Sequence, residues 1–359
     1  MLNEYSGKEA FHIYLAQYFR KHKHFGSADR RFYKTVAYNH WRFGQPGPTN
    51  SNQLCLELFA QNLFKEEILE SIPEFQPENF NPIISPALTF MESFLDKRIP
   101  MNEYQEWYGT PAPVYIIPSE HKHDALVAFL NTNQIAFEDG FCIKTAQSPE
   151  ISNLIQKGLG RIQDKGTARS LMDISLEGNV WDCCCGAGGK SLYISQFYKN
   201  ANLFCTDKRN NILENLKLRY QECELPLPQI HTMDLESEHM ILQFNDMDIS
   251  PEFFDCIVAD VPCSGSGTWR HTPEMAHFFD SEKINYYAEK QQNIVKHALP
   301  YLKPGGQLIY ITCSVFDAEN DSNIQRIAKE NNLEISAREY TGGLHSDCDY
   351  IYRAILKKR

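Results

Sequence analysis

Residues 179–190 read Asn179-Val180-Trp181-Asp182-Cys183-Cys184-Cys185-Gly186-Ala187-Gly188-Gly189-Lys190. The apolar start of this stretch predicts a buried strand, and its glycines let the backbone approach a ligand closely at the start of the next helix. The glycine spacing fits neither the dinucleotide pattern G-x-G-x-x-G nor the Walker loop, which needs four residues between its glycines. The stretch therefore predicts a strand, a ligand-binding loop and a helix that match neither of these nucleotide-binding patterns.

Four more strand patterns follow this loop, and helical patterns separate them. The strands are predicted at residues 202–207, 229–234, 254–260 and 306–313, and the longest helix at 282–302. Alternation of strands and helices is typical of a doubly wound, parallel sheet. The sequence therefore predicts an α/β fold with a mostly parallel sheet.

Acidic residues end four of the predicted strands. Ligands of such sheets bind outside the carboxyl ends of the strands, so we expect Asp182, Asp207, Asp234 and Asp260 to rim one crevice. Asp207 suits the diol of a ribose, and Asp234 suits the exocyclic amine of an adenine. An adenosine without phosphates, as in S-adenosylmethionine, fits this pair, although both carboxylates could instead cap helices.

Two cysteines follow strand ends in distinctive contexts. Cys263 lies in Asp260-Val261-Pro262-Cys263-Ser264-Gly265-Ser266-Gly267, and Cys313 lies in Thr312-Cys313-Ser314, so both are expected to face the crevice. Cys183, Cys184 and Cys185 alternate between the faces of a strand without a ligand partner at metal-binding spacing, so no metal site is predicted. The remaining cysteines are interpreted as small core residues: Cys55, Cys142, Cys205, Cys223, Cys256 and Cys348.

These motifs together resemble the Sun-type (RsmB-like) RNA cytosine carbon-5 methyltransferases. The Pro-Cys and Thr-Cys elements, the Gly-Gly-Lys loop, and Gly160-Arg161-Ile162-Gln163-Asp164 occur in the order found in that family, over residues 150–359. The resemblance implies a seven-stranded class I methyltransferase sheet and methyl transfer from S-adenosylmethionine to carbon 5 of a cytosine in RNA, with ribosomal RNA expected. The chain departs from the family at Ala187, where proline is usual, and at Cys185-Gly186, where two alanines are usual.

The resemblance also assigns roles to residues. Cys313 is implied as the nucleophile and Cys263 as the group that assists product release, although the opposite assignment, as in DNA cytosine methyltransferases, stays open. Asp260 would hold the cytosine, and Lys190 would place the methionine carboxylate or the base; a strand-end turn and a solvated helix start are the alternatives. The predicted cofactor-binding residues are Cys184, Cys185, Gly186, Ala187, Gly188, Gly189, Lys190, Asp207, Asp234 and Asp260.

The first third of the chain has helical patterns and a basic charge. Helices are predicted from Phe11, from a cap at Ser27 to about Gly44, at 52–72 and at 86–97. Residues 1–50 carry eight basic and three acidic residues, a net of +5, whereas the other 309 residues carry a net of −16. Such asymmetry can mark a nucleic-acid-binding module, and a solvated helix face is the alternative.

The resemblance extends more loosely to this part and gives the domain organisation. Residues 1–104 are expected to form a helical, NusB-like RNA-binding domain, 105–150 a ferredoxin-like α/β subdomain, and 151–359 the methyltransferase domain. The subdomain is predicted from strands at 114–117 and 141–144 and a helix at 120–130; Ile116-Ile117-Pro118 stands where an Arg-x-Asn is common. RNA contacts are expected from Arg30, Arg31, Gln163 and Arg270, the last in a segment, Trp269-Arg270-His271, that could equally be a surface turn.

Composition limits the remaining classes. The net charge of −11 argues against a uniformly basic surface, and eleven cysteines without a C-x-x-C pair indicate reduced thiols. The start lacks the apolar run of a signal peptide and no later stretch suits a membrane span, so we expect a cytoplasmic monomer without a membrane partner. An RNA-binding assembly factor without catalysis, a transfer RNA methyltransferase and, less favoured, a DNA methyltransferase are the alternatives.

Overall fold

The computed structural model describes residues 1–44, 54–55, 57–58, 64, 68, 70, 86–146, 148–237, 242–245 and 247–359. The chain forms two compact units: the first comprises Met1–Pro111 and Thr268–Ser281, and the second comprises Ala112–Gly267 and Glu282–Arg359. The predicted domain divisions after residues 104 and 150 stay predictions. Among the described helices, none has the length and apolar character that crossing a bilayer requires.

The described part of the first unit is helical. Its α-helices are Phe11–Lys21, Ser27–Phe43, Met101–Gly109 and Glu274–Phe278, and its 3-10 helices are Leu2–Glu4 and Pro86–Ser93. The two helices predicted first are confirmed, whereas the helix predicted from residue 86 is a 3-10 helix. The helix predicted at 52–72 lies largely outside the described residues. The core of the helical pair consists of Tyr5, Phe11, Leu15, Ala37 and Trp41.

The second helix begins as predicted, but its cap differs. The side chain of Asp29 accepts a hydrogen bond from the backbone N–H of Gly26 at 2.8 Å, and Gly26 is the N-cap residue. The prediction that Ser27 caps this helix is therefore wrong. The third residue of the helix supplies the capping side chain, which reaches back to a free backbone donor.

The second unit begins with a four-stranded antiparallel sheet. Its strands are β1 (Val114–Pro118), β2 (Phe137–Glu138), β3 (Ile143–Thr145) and β4 (Gly160–Ile162), in the order β2-β3-β1-β4. The helices His123–Thr132 and Ile151–Gln156 belong to the same subdomain, whose apolar core includes Ile116, Leu126, Leu130, Ile143 and Leu154. The strands and the helix predicted between residues 114 and 144 are confirmed, with shifts of a few residues at their ends.

A seven-stranded sheet forms the rest of this unit. Its strands are β5 (Gly178–Asp182), β6 (Ala201–Asp207), β7 (Gln229–Thr232), β10 (Phe254–Asp260), β11 (Leu302–Thr312), β12 (Leu333–Tyr340) and β13 (Tyr352–Lys358); β8 (Gln243–Phe244) and β9 (Met247–Asp248) pair separately. The order is β12-β13-β11-β10-β5-β6-β7, and β13 runs antiparallel to both of its neighbours while β10, β11, β5, β6 and β7 pair in parallel. The predicted α/β fold with a mostly parallel sheet is confirmed.

Alternate residues of the central strands enter two separate apolar clusters. Trp181 and Phe204 belong to one cluster, and their chain neighbours Val180 and Leu203 belong to the other, because successive strand side chains point to opposite faces. Helix Lys283–Ala298 contributes to the first cluster, whereas helices Gly189–Phe197 and Asn210–Glu222 contribute to the second. Both faces are thus covered by helices, and the carboxyl edge of the sheet stays available for ligands. The other α-helices in the described part of this unit are Lys165–Arg169 and Asp321–Glu330.

Candidate active site

A cavity of about 320 Å³ lies where β5, β6, β7 and β10 end. Its wall is apolar at Met233, Leu235 and Ile294, which suits the flat face of a purine. The predicted cofactor residues that line it are Cys184, Gly186, Asp207, Asp234 and Asp260, and the other predicted members of the loop, Cys185, Ala187, Gly188, Gly189 and Lys190, are not among its lining residues.

Asp207 is held in place by the loop and by a neighbouring arginine. Its Oδ2 accepts the backbone N–H of Gly186 at 3.0 Å, and its two oxygens accept the guanidinium of Arg209 at 2.9 and 3.0 Å. Burial acts to raise the pKa of Asp207, but the hydrogen bonds and the positive charge of Arg209 outweigh it and lower that pKa. The carboxylate therefore stays ionised and ready to accept hydrogen bonds. The contact with Arg209 was not foreseen.

The glycine-rich loop has a conformation that its sequence requires. Gly188 has a φ of +82°, and a Cβ there would lie 3.0 Å from the side chain of Leu216. Side-chain atoms fit poorly in this left-handed conformation, so glycine is needed where the loop enters helix Gly189–Phe197. Gln163 stabilises the same junction between loop and helix, because its Nε2 donates to the carbonyl oxygen of Gly189 at 3.0 Å.

Asp182 does not join the rim that the sequence predicts for it. Its side chain is fully buried, and its Oδ2 accepts a hydrogen bond from Ser191 Oγ at 2.6 Å. Within the described part of the chain, its Oδ1 has no hydrogen-bond partner. Burial raises the pKa of this carboxyl to about 7, and the hydrogen bond from Ser191 acts in the opposite direction. The prediction that four acids share the crevice is wrong for Asp182, because its side chain is buried and binds Ser191 of the following helix.

Lys190 and Asp260 form an ion pair at the end of β10. Lys190 Nζ lies 2.7 Å from Asp260 Oδ2, and the lysine side chain is 7% exposed against 33% for the aspartate. Burial acts to lower the pKa of Lys190, but the neighbouring Asp260 outweighs it, so the net shift is upward. The lysine therefore carries its charge beside the two cysteine-bearing loops. The structure brings these two predicted residues together.

The sulfurs of Cys263 and Cys313 lie 3.2 Å apart. Cys263 follows β10 and Cys313 follows β11, and these neighbouring strands are paired in parallel. The hydrogen bond to the sulfur of Cys313, followed by burial, raises the pKa of the Cys263 thiol well above its usual value. Cys263 therefore retains its proton at neutral pH.

A backbone contact also joins the two cysteine-bearing loops. The N–H of Gly267 donates to the carbonyl oxygen of Cys313 at 2.9 Å, and a Cβ at Gly267 would lie 2.1 Å from the carbonyl oxygen of Tyr350. Only glycine allows this approach. The last position of the Pro-Cys motif, Gly267, thus requires glycine for steric reasons.

Glu319 is a polar residue of this region that the sequence analysis missed. It is fully buried, and it accepts hydrogen bonds from the N–H of Ser264, from Ser314 Oγ and from Gln291 Nε2. Ser264 follows Cys263 and Ser314 follows Cys313. In the sequence, the signal that could have identified Glu319 as a site residue was its position a few residues after the Thr-Cys-Ser element.

The predicted RNA-contacting residues divide into two pairs. Arg30 and Arg31 are exposed in the first unit. Gln163 is buried against the loop, and Arg270 is 1% exposed with its guanidinium 5.4 Å from the centre of the Trp107 ring. The predictions of RNA contacts by Gln163 and Arg270 conflict with this burial, because their polar ends are turned into the protein.

An acidic cavity at the carboxyl edge of a mostly parallel, seven-stranded sheet with one antiparallel strand is the arrangement of a class I methyltransferase. The chain belongs to the family described as 16S rRNA methyltransferase RsmB/F, whose model matches residues 170–354. This membership confirms the family predicted from the sequence.

Similar proteins agree with that assignment. The probable ribosomal RNA small subunit methyltransferase B of Bacillus subtilis is 30% identical over 183 residues, which are 50% of this chain and 39% of the relative. The chain thus spans well under half of the length of this relative. The crystal structure of PH0851 superposes with a TM-score of 0.68 at 15% identity, covering 96% of this chain and 93% of the other. NSun6 from Pyrococcus horikoshii, with SFG, gives 0.59 at 14% identity and covers 72% and 94%. These likenesses show the fold.

Proposed function

We propose that this protein transfers a methyl group from S-adenosylmethionine to carbon 5 of a cytosine in RNA through a covalent adduct with Cys313. The observation that carries the proposal is the pair of sulfurs 3.2 Å apart at the ends of two adjacent parallel strands. The ion pair of Lys190 with Asp260 lies at the same edge, and Asp260 also lines the cavity. The similarity to proteins named ribosomal RNA small subunit methyltransferase B favours ribosomal RNA as the substrate.

The chemistry requires a nucleophile from the protein. Carbon 5 of cytosine is too weak a nucleophile to attack a sulfonium methyl, so the thiolate of Cys313 first adds to carbon 6 and raises the electron density at carbon 5. After methylation, carbon 5 must lose its proton to a base and the bond between sulfur and carbon 6 must break. Cys263, the protonated partner of Cys313, is the group placed to assist this release.

Asp260 and Lys190 would hold the reacting base. The Asp260 carboxylate can accept a hydrogen bond from the amino group of cytosine, and the adjacent ammonium of Lys190 offsets negative charge that develops during thiolate addition. The target ring must be unstacked, because its faces are inaccessible within a helix. When bound, the cofactor supplies an electrophilic methyl group.

The cavity fits an adenosine. Asp207 and the exposed Asp234 offer carboxylates for hydroxyl and amino donors, and Met233, Leu235 and Ile294 offer an apolar surface. These residues would hold the nucleoside of the cofactor, with Gly186 and the start of helix Gly189–Phe197 beside them.

The first unit has a surface suited to RNA. A groove of about 260 Å³ is lined by His12, Phe19, Arg30, Arg31 and Lys34, and the guanidinium of Arg30 lies 5.9 Å from the centre of the Phe19 ring. Basic groups beside aromatic rings can neutralise phosphates and stack on bases. This groove supports the proposal that residues 1–104 form an RNA-binding domain of the NusB-like kind.

The covalent step can be tested with two cysteine variants. Cys313→Ala should abolish methyl transfer, and Cys263→Ala should accumulate an RNA-protein adduct that survives denaturing electrophoresis, because the adduct then forms but is not released. Cys223→Ala is a matched control, because this half-buried thiol lies at the end of helix Asn210–Glu222. An adduct from the Cys313 variant would reverse the two roles, and the absence of an adduct from every variant would contradict the covalent mechanism.

The substrate is tested by bisulfite sequencing of cellular RNA with and without the gene. We expect one cytosine of ribosomal RNA to lose its protection from deamination when the gene is removed. Loss at a transfer RNA position instead would reassign the substrate class. Unchanged patterns in both RNA classes would contradict the proposed activity.

A further inference from the structure

Glu319 connects the two loops that carry the cysteines. Its Oε2 accepts the backbone N–H of Ser264 at 2.9 Å, and its Oε1 accepts the hydroxyl of Ser314 at 2.7 Å. Each serine is the residue directly after a cysteine, so one carboxyl group spans the same gap as the pair of sulfurs. A fully buried carboxyl group is costly unless its oxygens are hydrogen-bonded, and both oxygens of Glu319 are.

Glu319 thus forms a bridge between Ser264 and Ser314, and further contacts make this bridge rigid. Gln291, also fully buried, donates from Nε2 both to Glu319 Oε2 at 2.9 Å and to the carbonyl oxygen of Pro262 at 3.1 Å. The hydroxyl of Ser264 donates to that of Ser314 at 3.0 Å. Ser264, the residue after Cys263, thus binds Glu319 directly, and Pro262, the residue before it, is linked to Glu319 through Gln291. Such a fully satisfied network has one geometry.

We infer that Glu319 is a positioning residue that sets the distance between the sulfurs of Cys263 and Cys313. The inference rests on the proposed function, because the two thiols act together only in the release of a covalent adduct. Formation of the adduct needs the Cys313 thiolate alone, whereas release needs both sulfurs near one another. Loss of Glu319 should therefore slow release more than formation.

The charge of Glu319 acts in the same direction. Burial raises the pKa of this carboxyl, while the hydrogen bonds from Ser264, Ser314 and Gln291 act to lower it. Negative charge on Glu319 contributes, after the contact with Cys313 and burial, to the raised pKa of Cys263. The bridge thus supports both the distance and the protonation of the pair.

Two variants separate the bridge from general packing. Glu319→Ala removes every contact, whereas Glu319→Gln can retain them: the amide oxygen accepts from Ser264 and Gln291, and the amide nitrogen donates to the hydroxyl of Ser314. Gln196→Ala is the matched structural control. The Gln196 side chain is 7% exposed and binds Arg161 and the carbonyl oxygen of Pro118, neither of which belongs to the bridge or to a cysteine-bearing loop.

The first measurement needs neither RNA nor cofactor. Diamide oxidises two thiols to a disulfide and is itself reduced to its hydrazine, and peptide mass spectrometry reports the rate for the Cys263–Cys313 pair. We expect Glu319→Ala to slow this cross-link at least tenfold at a temperature where it is folded, and Glu319→Gln and Gln196→Ala to stay within a few-fold of wild type. An unchanged rate in Glu319→Ala would overturn the inference, whatever the enzyme does with RNA.

The second measurement follows the reaction. Glu319→Ala should accumulate an RNA adduct and lose turnover, while a single round of methyl transfer is affected less; Glu319→Gln should restore turnover. Equal losses in both steps, or an adduct in the Gln196 variant as well, would assign Glu319 a merely structural role. Failure of wild type and Cys263→Ala to form any adduct would count against the proposed function and leave the cross-linking result to decide the inference.

Discussion

The two halves of the carboxyl edge of the sheet differ in how their polar groups are satisfied. At β10 and β11, Glu319, Ser264 and Ser314 are buried and bind one another. At β6 and β7, Asp207 binds Arg209, whose side chain is 56% exposed, and Asp234 is itself exposed. The polar groups at β10 and β11 bind one another, and we call this the closed half. Those at β6 and β7 can exchange their partners for a ligand, and we call this the open half.

This difference follows from what each half must do. Covalent chemistry needs reacting atoms held within a fraction of an ångström, which a saturated network of buried hydrogen bonds provides. A binding site for a nucleoside needs acceptors that water or a mobile side chain occupies until the ligand arrives. The comparison predicts large losses of rate from changes in the closed half and losses of affinity from changes in the open half.

The largest effect is expected from the ion pair beside the closed half. Lys190→Met should lower kcat by about a hundredfold or more, the usual result of removing one preorganised charge at a reacting group. Methyl incorporation into RNA from the gene-deletion strain measures it. Lys199→Met is the matched control, because Lys199 also lies 2.7 Å from a carboxylate, that of Glu120, in an exposed pair that contributes under about 1 kcal/mol. Equal losses of kcat in both variants would contradict the assignment of Lys190.

A smaller effect is expected in the open half. Asp207→Ala should weaken cofactor binding by more than about 1.4 kcal/mol, a tenfold step in affinity, because the ribose hydroxyls lose their acceptor. Calorimetry with S-adenosylmethionine measures this. Asp255→Ala serves as the control, since Asp255 pairs with Lys303 at 2.6 Å and lies near the amino end of β10. Unchanged affinity in the Asp207 variant would show that the ribose lies elsewhere.

The sequence predicts the open half better than the closed one. Asp207 and Asp234, which line the cavity, were found because a carboxylate at the end of a predicted strand is visible in the sequence, and sheet topology then brings strand ends together. Glu319 has only a weaker signal, its position a few residues after the Thr-Cys-Ser element, because its partners are a backbone N–H and two side chains that only the folded chain brings close. The roles assigned to the predicted site residues stay predictions.

Burial explains the other differences. Gln163 and Arg270 look like surface residues in the sequence, but a loop carbonyl and the Trp107 ring bind their polar ends in the interior. The strands β12 and β13 carry charged residues and have no clear apolar run, so the resemblance alone predicted seven strands. Residue type indicates what a side chain can do, whereas its partner depends on contacts between distant parts of the chain.

Asp182 on β5, the strand between the two halves, gives the smallest expected effect. Burial raises the pKa of its carboxyl from 3.8 to about 7, so the folded chain retains a proton that the unfolded chain has already released. Stability from this group must therefore fall as pH rises from about 4 to about 7 and stay level above that range. Asp182→Asn has no such titration. The urea midpoint of the variant, measured relative to that of wild type, should therefore rise between about pH 5 and about pH 8.

A second variant, Ser191→Ala, also tests whether Asp182 on β5 titrates in this range. The hydroxyl of Ser191 donates to Asp182 at 2.6 Å and acts to lower the pKa of that carboxyl, so its removal should move the pH-dependent range upward. If the urea midpoints of Asp182→Asn and wild type differ by the same amount at the lower and at the higher of these pH values, Asp182 does not titrate in this range. In that case the carboxyl would be ionised at neutral pH, and β5 would resemble the open half, whose carboxylates bind cations and backbone donors, more than the closed one.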